Sequence, residues 1–294
     1  MDGESNNSSE LAVQSSSSPV TGAEPQQKVT GQKRPREKKE KAKEGGFQVK
    51  EDKETGIVTR ECENWKRVKY NIPNKRIDEC DFRLREVYGI VGVQKGAGKS
   101  TFMSHIVKRL WEEHANNKIS DVFLFCPRGS QKEPWKWMLD EKYGLGPSRI
   151  IEKNFVAGLK GLLKAQKKSK LPEEEGHVLV VIDDSANEID FTEAEAKNIM
   201  LSFATQVRQP DVNVTMFVAI QAVTLLPTKL RLNVHYWCIG KTGTQQLTHI
   251  TSSQSFVNAD TVEETVVKRC HNYQFLVLDT EGSEAYVTKA PVQQ

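Results

Sequence analysis

One glycine-rich octapeptide, residues 94–101, constrains the fold of this chain more than any other feature. It reads QKGAGKST and lies between an apolar run, 86–93, and a stretch with helical periodicity through Phe102, Ile106 and Leu110. Its glycines let backbone N–H groups close around an anion, and the N-terminus of a following helix favours negative charge. The segment therefore predicts a strand, a phosphate-binding loop and a helix in succession.

The side chains of this loop have the chemistry that a bound nucleoside triphosphate requires. Lys99 can reach β- and γ-phosphates, and the hydroxyl of Ser100 can ligate Mg²⁺. The full pattern, G-x-x-x-x-G-K-[ST], has glycine at position 93, whereas this chain has Val93 there and its glycine, Gly92, one residue earlier. We predict a site for ATP and Mg²⁺ whose nucleotide contacts come from Gln94, Lys95, Gly96, Ala97, Gly98, Lys99, Ser100 and Thr101.

Two apolar runs downstream of the loop end in polar residues. The run HVLVVI at 177–182 is typical of a strand buried on both faces, and Asp183 and Asp184 follow it. We predict that Asp183 holds the water shell of Mg²⁺ and that Asp184 activates the attacking water. Gln221 ends the next run, TMFVAIQ, and either senses the γ-phosphate and orients water or caps its strand as an ordinary amide.

Cations elsewhere in the sequence are candidates for catalysis or nucleic-acid binding. Phosphoryl transfer is helped by a cation that a neighbouring subunit inserts. We predict that Arg208 or Arg231 is this catalytic group, and for each the alternative is a solvated or structurally paired arginine. The lysines in 160–170 lie on a face that contacts either nucleic acid or solvent. Trp135 and Trp137 are expected in the core rather than stacked on bases.

The pattern along the chain divides it into three parts. Residues 1–46 are nearly free of large apolar side chains, which predicts a disordered tail. Its basic run, 33–43, is a solvated charge run, a nuclear-import signal or a nucleic-acid-binding arm. Residues 47–85 are predicted to form a strap or small sheet. In residues 86–290 strands alternate with helices, which predicts an α/β domain with a mainly parallel central sheet covered by helices on both faces.

Composition excludes several other classes of protein. The five cysteines stand far apart, without a C-x-x-C pair or a histidine at zinc spacing, so we expect reduced and mostly buried thiols in an intracellular protein. No apolar run approaches the ~20 residues that span a bilayer, and no secretory signal is present. We therefore expect neither membrane insertion nor secretion. The net charge of +3 confines any nucleic-acid surface to a local patch.

The order of these motifs resembles that of the genome-packaging ATPases of the FtsK–HerA superfamily. The most similar group is the poxvirus-type packaging ATPases of large DNA viruses, virophages and Polinton-like viruses. The resemblance covers roughly residues 86–279, and its most specific part is the strand that ends in Gln221, followed by LPTKLRLN at 226–233. It implies a RecA-like P-loop NTPase, in which the following residues keep the family's roles: Lys99, Ser100, Asp183, Asp184 and Gln221.

This resemblance implies an ATP-hydrolysing DNA translocase that packages a viral double-stranded DNA genome into a capsid. The implied partners are double-stranded DNA, further copies of the chain in a hexameric or pentameric ring, and capsid or portal-vertex proteins. The implied location is the host nucleus, the viral assembly site or the virion. The chain departs from the family at Val93 and at Asp184, where many relatives carry glutamate. The alternatives are another DNA pump or phage assembly ATPase of the superfamily, and a nucleotide-binding assembly protein with weak turnover.

Overall fold

The computed structural model describes residues 47–51, 58–62, 72–93, 96–115, 118–169, 176–184, 189, 193–209, 212–252 and 257–291. The predicted tail, its basic run, and the loop residues Gln94 and Lys95 lie outside the described residues. The chain divides into two compact units, residues 1–64 and 65–294. In the first unit β1 (Phe47–Glu51) and β2 (Val58–Cys62) pair antiparallel. This hairpin lies inside the range 47–85, in which a strap or small sheet is predicted.

The second unit is built on an eight-stranded sheet. Its strands are β3 (Val87–Val91), β4 (Ile119–Phe125), β5 (Ile150–Ile151), β6 (His177–Ile182), β7 (Val214–Ile220), β8 (Tyr236–Ile239), β9 (Gln274–Asp279) and β10 (Glu284–Lys289). They stand in the order β10-β9-β8-β3-β7-β6-β4-β5. The six strands from β8 to β5 are parallel, and β9 and β10 are antiparallel at one edge. The predicted mainly parallel sheet is confirmed.

Six α-helices occur in the described part of the chain: α1 (Lys99–His114), α2 (Phe155–Ser169), α3 (Ala194–Gln206), α4 (Thr228–Arg231), α5 (Thr244–Thr251) and α6 (Ala259–Arg269). Their ends have local causes. For example, α6 begins after Asn258, whose side chain accepts a hydrogen bond of 2.8 Å from the backbone of Asp260 and so satisfies one of the free N–H groups of the first turn.

The sheet separates two apolar cores, because successive side chains of a strand point to opposite faces. In β6, Val178 and Val180 lie in one core, and Leu179 and Val181 lie in the other. Apolar residues of α2 to α6 fill the first core, whereas α1 and the 3₁₀ segment Glu133–Leu139 cover the second. Both faces are therefore covered, as an all-apolar run such as β6 requires.

Two elements have no counterpart among the sequence predictions. The helix α5, TQQLTHIT, contains three threonines, which have low helix propensity. The strand β10, EAYVTK, is a partly exposed edge strand with polar residues at both ends. Residues Glu133–Leu139 form a 3₁₀ segment that contains Pro134. Local composition thus concealed elements that tertiary packing stabilises.

Candidate nucleotide-binding site

The predicted site residues follow three adjacent strands at the same edge of the sheet. The strand β7 lies between β3 and β6, and all three run in the same direction. Their carboxyl ends therefore bring together the loop after β3, the two aspartates after β6 and Gln221 after β7. The crevice at the carboxyl ends of parallel strands is where open α/β sheets bind ligands.

Two glycines of the loop adopt backbone conformations that other residues rarely take. Gly96 has φ of 83° and Gly98 has φ of 85°, in the left-handed region. A Cβ atom on Gly98 would also lie 2.4 Å from Cδ1 of Tyr273, whereas a Cβ on Gly96 would meet nothing within 4 Å. Gly98 is therefore required both by its φ and by the ring that packs on it, and α1 begins directly after it.

The valine at position 93 fits the loop without a glycine-like conformation. Val93 is not among the described non-glycine residues with positive φ. Its N–H donates to the carbonyl of Lys241 at 3.2 Å, and the N–H of Gly92 donates to the carbonyl of Ile220 at 3.3 Å. The side chain of Val93 is 49% exposed and lies on the wall of the cleft. This departure from the motif therefore places a valine on the wall of the cleft, in a backbone conformation that does not require glycine.

Lys99 is bonded to a group that a ligand can replace. Its Nζ donates to the carbonyl of Gly92 at 2.7 Å. Burial lowers the pKa of Lys99 below its ordinary value, and the charges of Asp184 and Asp183 oppose that shift only in part. Charge-assisted hydrogen bonds to an anion are roughly twice as strong as those to a neutral acceptor. A phosphate oxygen would thus be a better partner for this ammonium than the carbonyl.

Ser100 and Asp183 join the loop helix to the strand β6. The Ser100 hydroxyl donates to Oδ1 of Asp183 at 3.0 Å, and the indole Nε1 of Trp135 donates to Oδ2 at 2.8 Å. The carboxylate is 1% exposed, and the thiol of Cys126 lies 3.8 Å from Oδ2. Burial first, and then the charge of Asp183, raise the pKa of Cys126 to about 12, so it remains a thiol. Asp183 is thereby held in one orientation.

The oxygen atoms of Ser100 and Asp183 fit a magnesium ion. Mg²⁺ prefers hard oxygen ligands and is usually held by one or two protein groups together with water and substrate phosphates. No cluster of three or more histidine, cysteine, aspartate or glutamate residues able to hold a metal occurs among the described residues. Water and the phosphate oxygens of a nucleotide would therefore supply the remaining ligands of a Mg²⁺ held by Ser100 and Asp183.

Asp184 has a partner that the sequence does not reveal. Nζ of Lys132 lies 3.2 Å from Oδ2 of Asp184 and 3.8 Å from Oδ2 of Asp183. Burial by itself would lower the pKa of Lys132, but the charge of Asp183 and the contact with Asp184 help to raise it above its ordinary value, so the ammonium stays charged. Lys132 follows β4, which neighbours β6 in the sheet, so only the strand order could have placed it here.

These residues enclose a cleft of about 530 Å³, within the range of small-molecule sites. It is lined by Val93, Gly96, Ala97, Gly98, Lys99, Ser100, Thr101, Asp183, Asp184, Gln221 and Tyr273. Gln221 is exposed, and its side chain makes no hydrogen bond to a described residue. Gln221 thus lies on the cleft as the sequence predicts, and its role as a sensor of the γ-phosphate stays a prediction.

The two predicted arginines lie away from the cleft. Arg208 lies near the amino ends of the parallel strands (the amino edge). There its Nη2 lies 2.5 Å from Oε2 of Glu86, and its Nη1 donates to Glu281. Arg231 ends α4, and its Nη2 donates to the hydroxyl of Thr228 at 2.9 Å. Neither contributes to the pocket of its own chain, so any part in catalysis requires a second copy.

Other predicted features have the following positions. Trp135 is fully buried, as expected for a core residue, whereas Trp137 is half-buried and donates to the hydroxyl of Ser104 at 2.9 Å. On α2, Lys160 pairs with Glu195 at 2.6 Å. The four cysteines whose side chains are described are buried and free of disulfides. In the described part of the chain no helix has the length and apolarity to cross a bilayer.

Solved structures of two packaging NTPases have a similar fold. One is B204, the DNA-packaging ATPase from Sulfolobus Turreted Icosahedral Virus, with 17% identity, a TM-score of 0.50, and coverage of 72% of this chain and 100% of that chain. The other is the genome packaging NTPase B204 from Sulfolobus turreted icosahedral virus 2 in complex with AMPPCP, with 15% identity, a TM-score of 0.50, and coverage of 71% and 99%. No protein-family model matches the sequence, and comparison with curated proteins gave no match. This chain shares the fold of those proteins.

Proposed function

We propose that this chain is an ATP-hydrolysing DNA translocase of the FtsK–HerA superfamily that packages a viral double-stranded DNA genome. The contact between Ser100 and Asp183, beside Asp184 and Gln221, is the observation that carries the proposal. It joins the phosphate-binding loop to a strand that ends in two carboxylates, which is the arrangement that metal-assisted phosphoryl transfer needs. The shared fold with two packaging NTPases supports the choice of motor among the possible ATPases.

The roles of the residues follow from their positions. Backbone groups of Gly96 to Ser100 and the ammonium of Lys99 bind the phosphates, and Ser100 with Asp183 would hold Mg²⁺, which supplies positive charge at the phosphate oxygens. Asp184 accepts the proton of the water that attacks the γ-phosphorus, while Gln221 orients that water. The bond from the γ-phosphorus to the bridging oxygen breaks, and ADP and inorganic phosphate leave.

A ring of identical subunits would supply the remaining positive charge. Of the two predicted arginines, Arg231 is the better candidate for a residue that acts in trans. Arg208 already bonds to two carboxylates, whereas Nε of Arg231 is buried without a hydrogen-bond partner among the described residues. The proposed partners are double-stranded DNA and capsid or portal-vertex proteins, at a viral assembly site, in the host nucleus or in the virion.

The test is the ATPase rate with and without double-stranded DNA. We expect DNA to stimulate the wild type, and Lys99→Ala and Asp184→Asn each to lower kcat by about 10²–10³-fold, since each removes a preorganised charge at the reacting group. Lys268→Ala is the matched control, because Lys268 lies outside the cleft lining and forms an exposed ion pair with Glu264 on α6; its rate should equal that of the wild type.

Two other results would contradict this assignment. A wild type that hydrolyses ATP no faster than the two variants, with or without DNA, contradicts the motor and favours a nucleotide-binding assembly protein. A wild type that is stimulated by DNA but packages none into purified capsids of its virus favours another DNA pump of the same superfamily.

A further inference from the structure

We propose that Lys132 distinguishes ATP from ADP: its ammonium, which pairs with Asp184 in this structure, binds the γ-phosphate when ATP is present. This role rests on the nucleotide site of the proposed function and on no part of the DNA-translocating mechanism. It would make Lys132 a binding residue for the terminal phosphate, supplied by the loop after β4 rather than by the phosphate-binding loop.

Lys132 lies close to a carboxylate of the cleft. Its Nζ lies 3.2 Å from Oδ2 of Asp184, and Asp184 lines the same cleft as Lys99. Asp184 is also the group assigned to the water that attacks the γ-phosphorus, so its carboxylate must stand close to that phosphate. An ammonium within contact of this carboxylate is therefore within the swing of a flexible four-carbon side chain from the γ-phosphate.

The two carboxylates beside Lys132 differ in exposure and in their other contacts. Its side chain is 27% exposed, whereas that of Asp184 is 52% exposed and that of Asp183 is 1% exposed. Asp183 already accepts hydrogen bonds from Ser100 and Trp135 and has the oxygens that suit a divalent cation. A cation at Asp183 and the ammonium of Lys132 would repel each other. The γ-phosphate, with more negative charge than a carboxylate, offers Lys132 a stronger partner on the open side of the cleft.

The backbone of Lys132 is hydrogen-bonded on both sides. The N–H of Lys132 donates to the carbonyl of Gly129 at 3.1 Å, and the N–H of Trp135 donates to the carbonyl of Lys132 at 3.0 Å. Since Trp135 is bonded to Asp183 and fully buried, the backbone at 132 has fixed neighbours on both sides. The side chain can therefore exchange partners while these two backbone hydrogen bonds hold residue 132 in place.

The experiment compares two nucleotides that are not turned over. Isothermal titration calorimetry with AMPPCP and with ADP, both with Mg²⁺, gives the affinities of the wild type, Lys132→Gln and Lys132→Arg. We expect Lys132→Gln to weaken AMPPCP binding by about 10–100-fold, as for the loss of a hydrogen bond between charged groups, and ADP binding by less than about threefold. Lys132→Arg should keep most of the preference for AMPPCP, because it keeps the charge.

The matched control is Lys136→Gln, on the 3₁₀ segment Glu133–Leu139 that directly follows Lys132, whose lysine is exposed and pairs with Glu133. It should leave both affinities unchanged. Equal losses for AMPPCP and ADP in Lys132→Gln would assign Lys132 a structural role and overturn the proposal, as would unchanged or tighter AMPPCP binding. A wild type that binds neither nucleotide contradicts the proposed function itself, and the role of Lys132 with it. Thermal unfolding of each variant checks that it is folded.

Discussion

Charged side chains collect at both ends of the parallel strands, but their partners differ at the two ends. At the amino edge, Nη2 of Arg83 donates to both carboxylate oxygens of Asp279, at 2.9 and 2.8 Å. In the same region Arg208 bridges Glu86 and Glu281. The guanidinium groups of Arg83 and Arg208 each contact a carboxylate directly, so their charges are compensated within the chain.

At the carboxyl ends of the parallel strands (the carboxyl edge), the side chains make hydrogen bonds that a ligand can replace. Lys99 donates to a backbone carbonyl, and Gln221 is exposed without a described hydrogen-bond partner. Gly96 and Gly98 have φ in the left-handed region, a conformation in which successive backbone N–H groups can form a concave anion-binding site. The two ends therefore use charge differently: ion pairs stabilise the amino edge, whereas Lys99 at the carboxyl edge has a neutral partner that an anion could replace.

The largest effect should come from Gly98→Ala, which tests whether the carboxyl edge depends on backbone geometry. The added Cβ forces a residue with φ of 85° against the ring of Tyr273. We expect nucleotide affinity to fall by about 100-fold, because the N–H groups of the loop lose their alignment and a left-handed non-glycine residue costs about 1–2 kcal/mol by itself. Fluorescence titration with a labelled ATP analogue measures the change.

Gly144→Ala is the matched control, since Gly144 has φ of 69° but its Cβ would meet nothing within 4 Å. It should lower stability by about 1 kcal/mol and leave nucleotide affinity intact. If Gly98→Ala binds nucleotide as tightly as the wild type, the glycine geometry at the carboxyl edge is not what binds phosphate.

The sequence predicts the carboxyl edge better than the amino edge, for a physical reason. A phosphate-binding loop needs glycine, lysine and hydroxyl groups at fixed spacing along the chain, so Gly98, Lys99 and Ser100 can be read directly. The buried run of β6 likewise ends where its two aspartates must enter the crevice. Local chemistry and local spacing are sufficient at these positions.

Contacts between distant segments are not predictable in this way. Lys132 reaches Asp184 across 52 residues, and Arg208 reaches Glu281 across 73. The first contact depends on strand order, which places β4 beside β6, and the second joins the loop before β7 to the turn after β9, with β3 and β8 between those two strands. No spacing along the chain encodes that order. For the same reason the antiparallel edge of β9 and β10 is absent from a prediction based on strand–helix alternation.

The next effect tests the amino edge. Glu86 is buried, and its Oε2 lies 2.5 Å from Nη2 of Arg208 and 2.7 Å from Nδ1 of His235. Glu86→Gln removes the negative charge that pairs with Arg208. We expect it to lower the free energy of unfolding by about 2 kcal/mol. This is less than the loss of a fully buried ion pair would cost, because Arg208 is partly exposed. That corresponds to a fall in Tm of about 4–8 °C, measurable by calorimetry.

Glu86→Gln should leave nucleotide affinity unchanged, because Glu86 lies outside the cleft lining. Glu133→Gln is the control, because Glu133 forms an exposed ion pair with Lys136; its stability should change by less than about 0.5 kcal/mol. A Glu86→Gln protein that loses nucleotide binding while keeping its Tm would show that the amino edge belongs to the site.

The smallest effect concerns the acid dependence of the amino edge. The hydrogen bond from Arg208 holds the pKa of Glu281 below its ordinary value of 4.5. A carboxylate with a lowered pKa in the folded state stabilises the protein above the unfolded pKa, and this stabilisation is lost as pH falls through the folded pKa. Because both side chains are more than a third exposed, we expect Glu281→Gln to cost only about 0.5 kcal/mol at pH 7. Urea unfolding of the two proteins should show this difference shrinking below pH 4.5, and a difference that stays constant down to complete protonation would mean that the Arg208 contact is absent in solution.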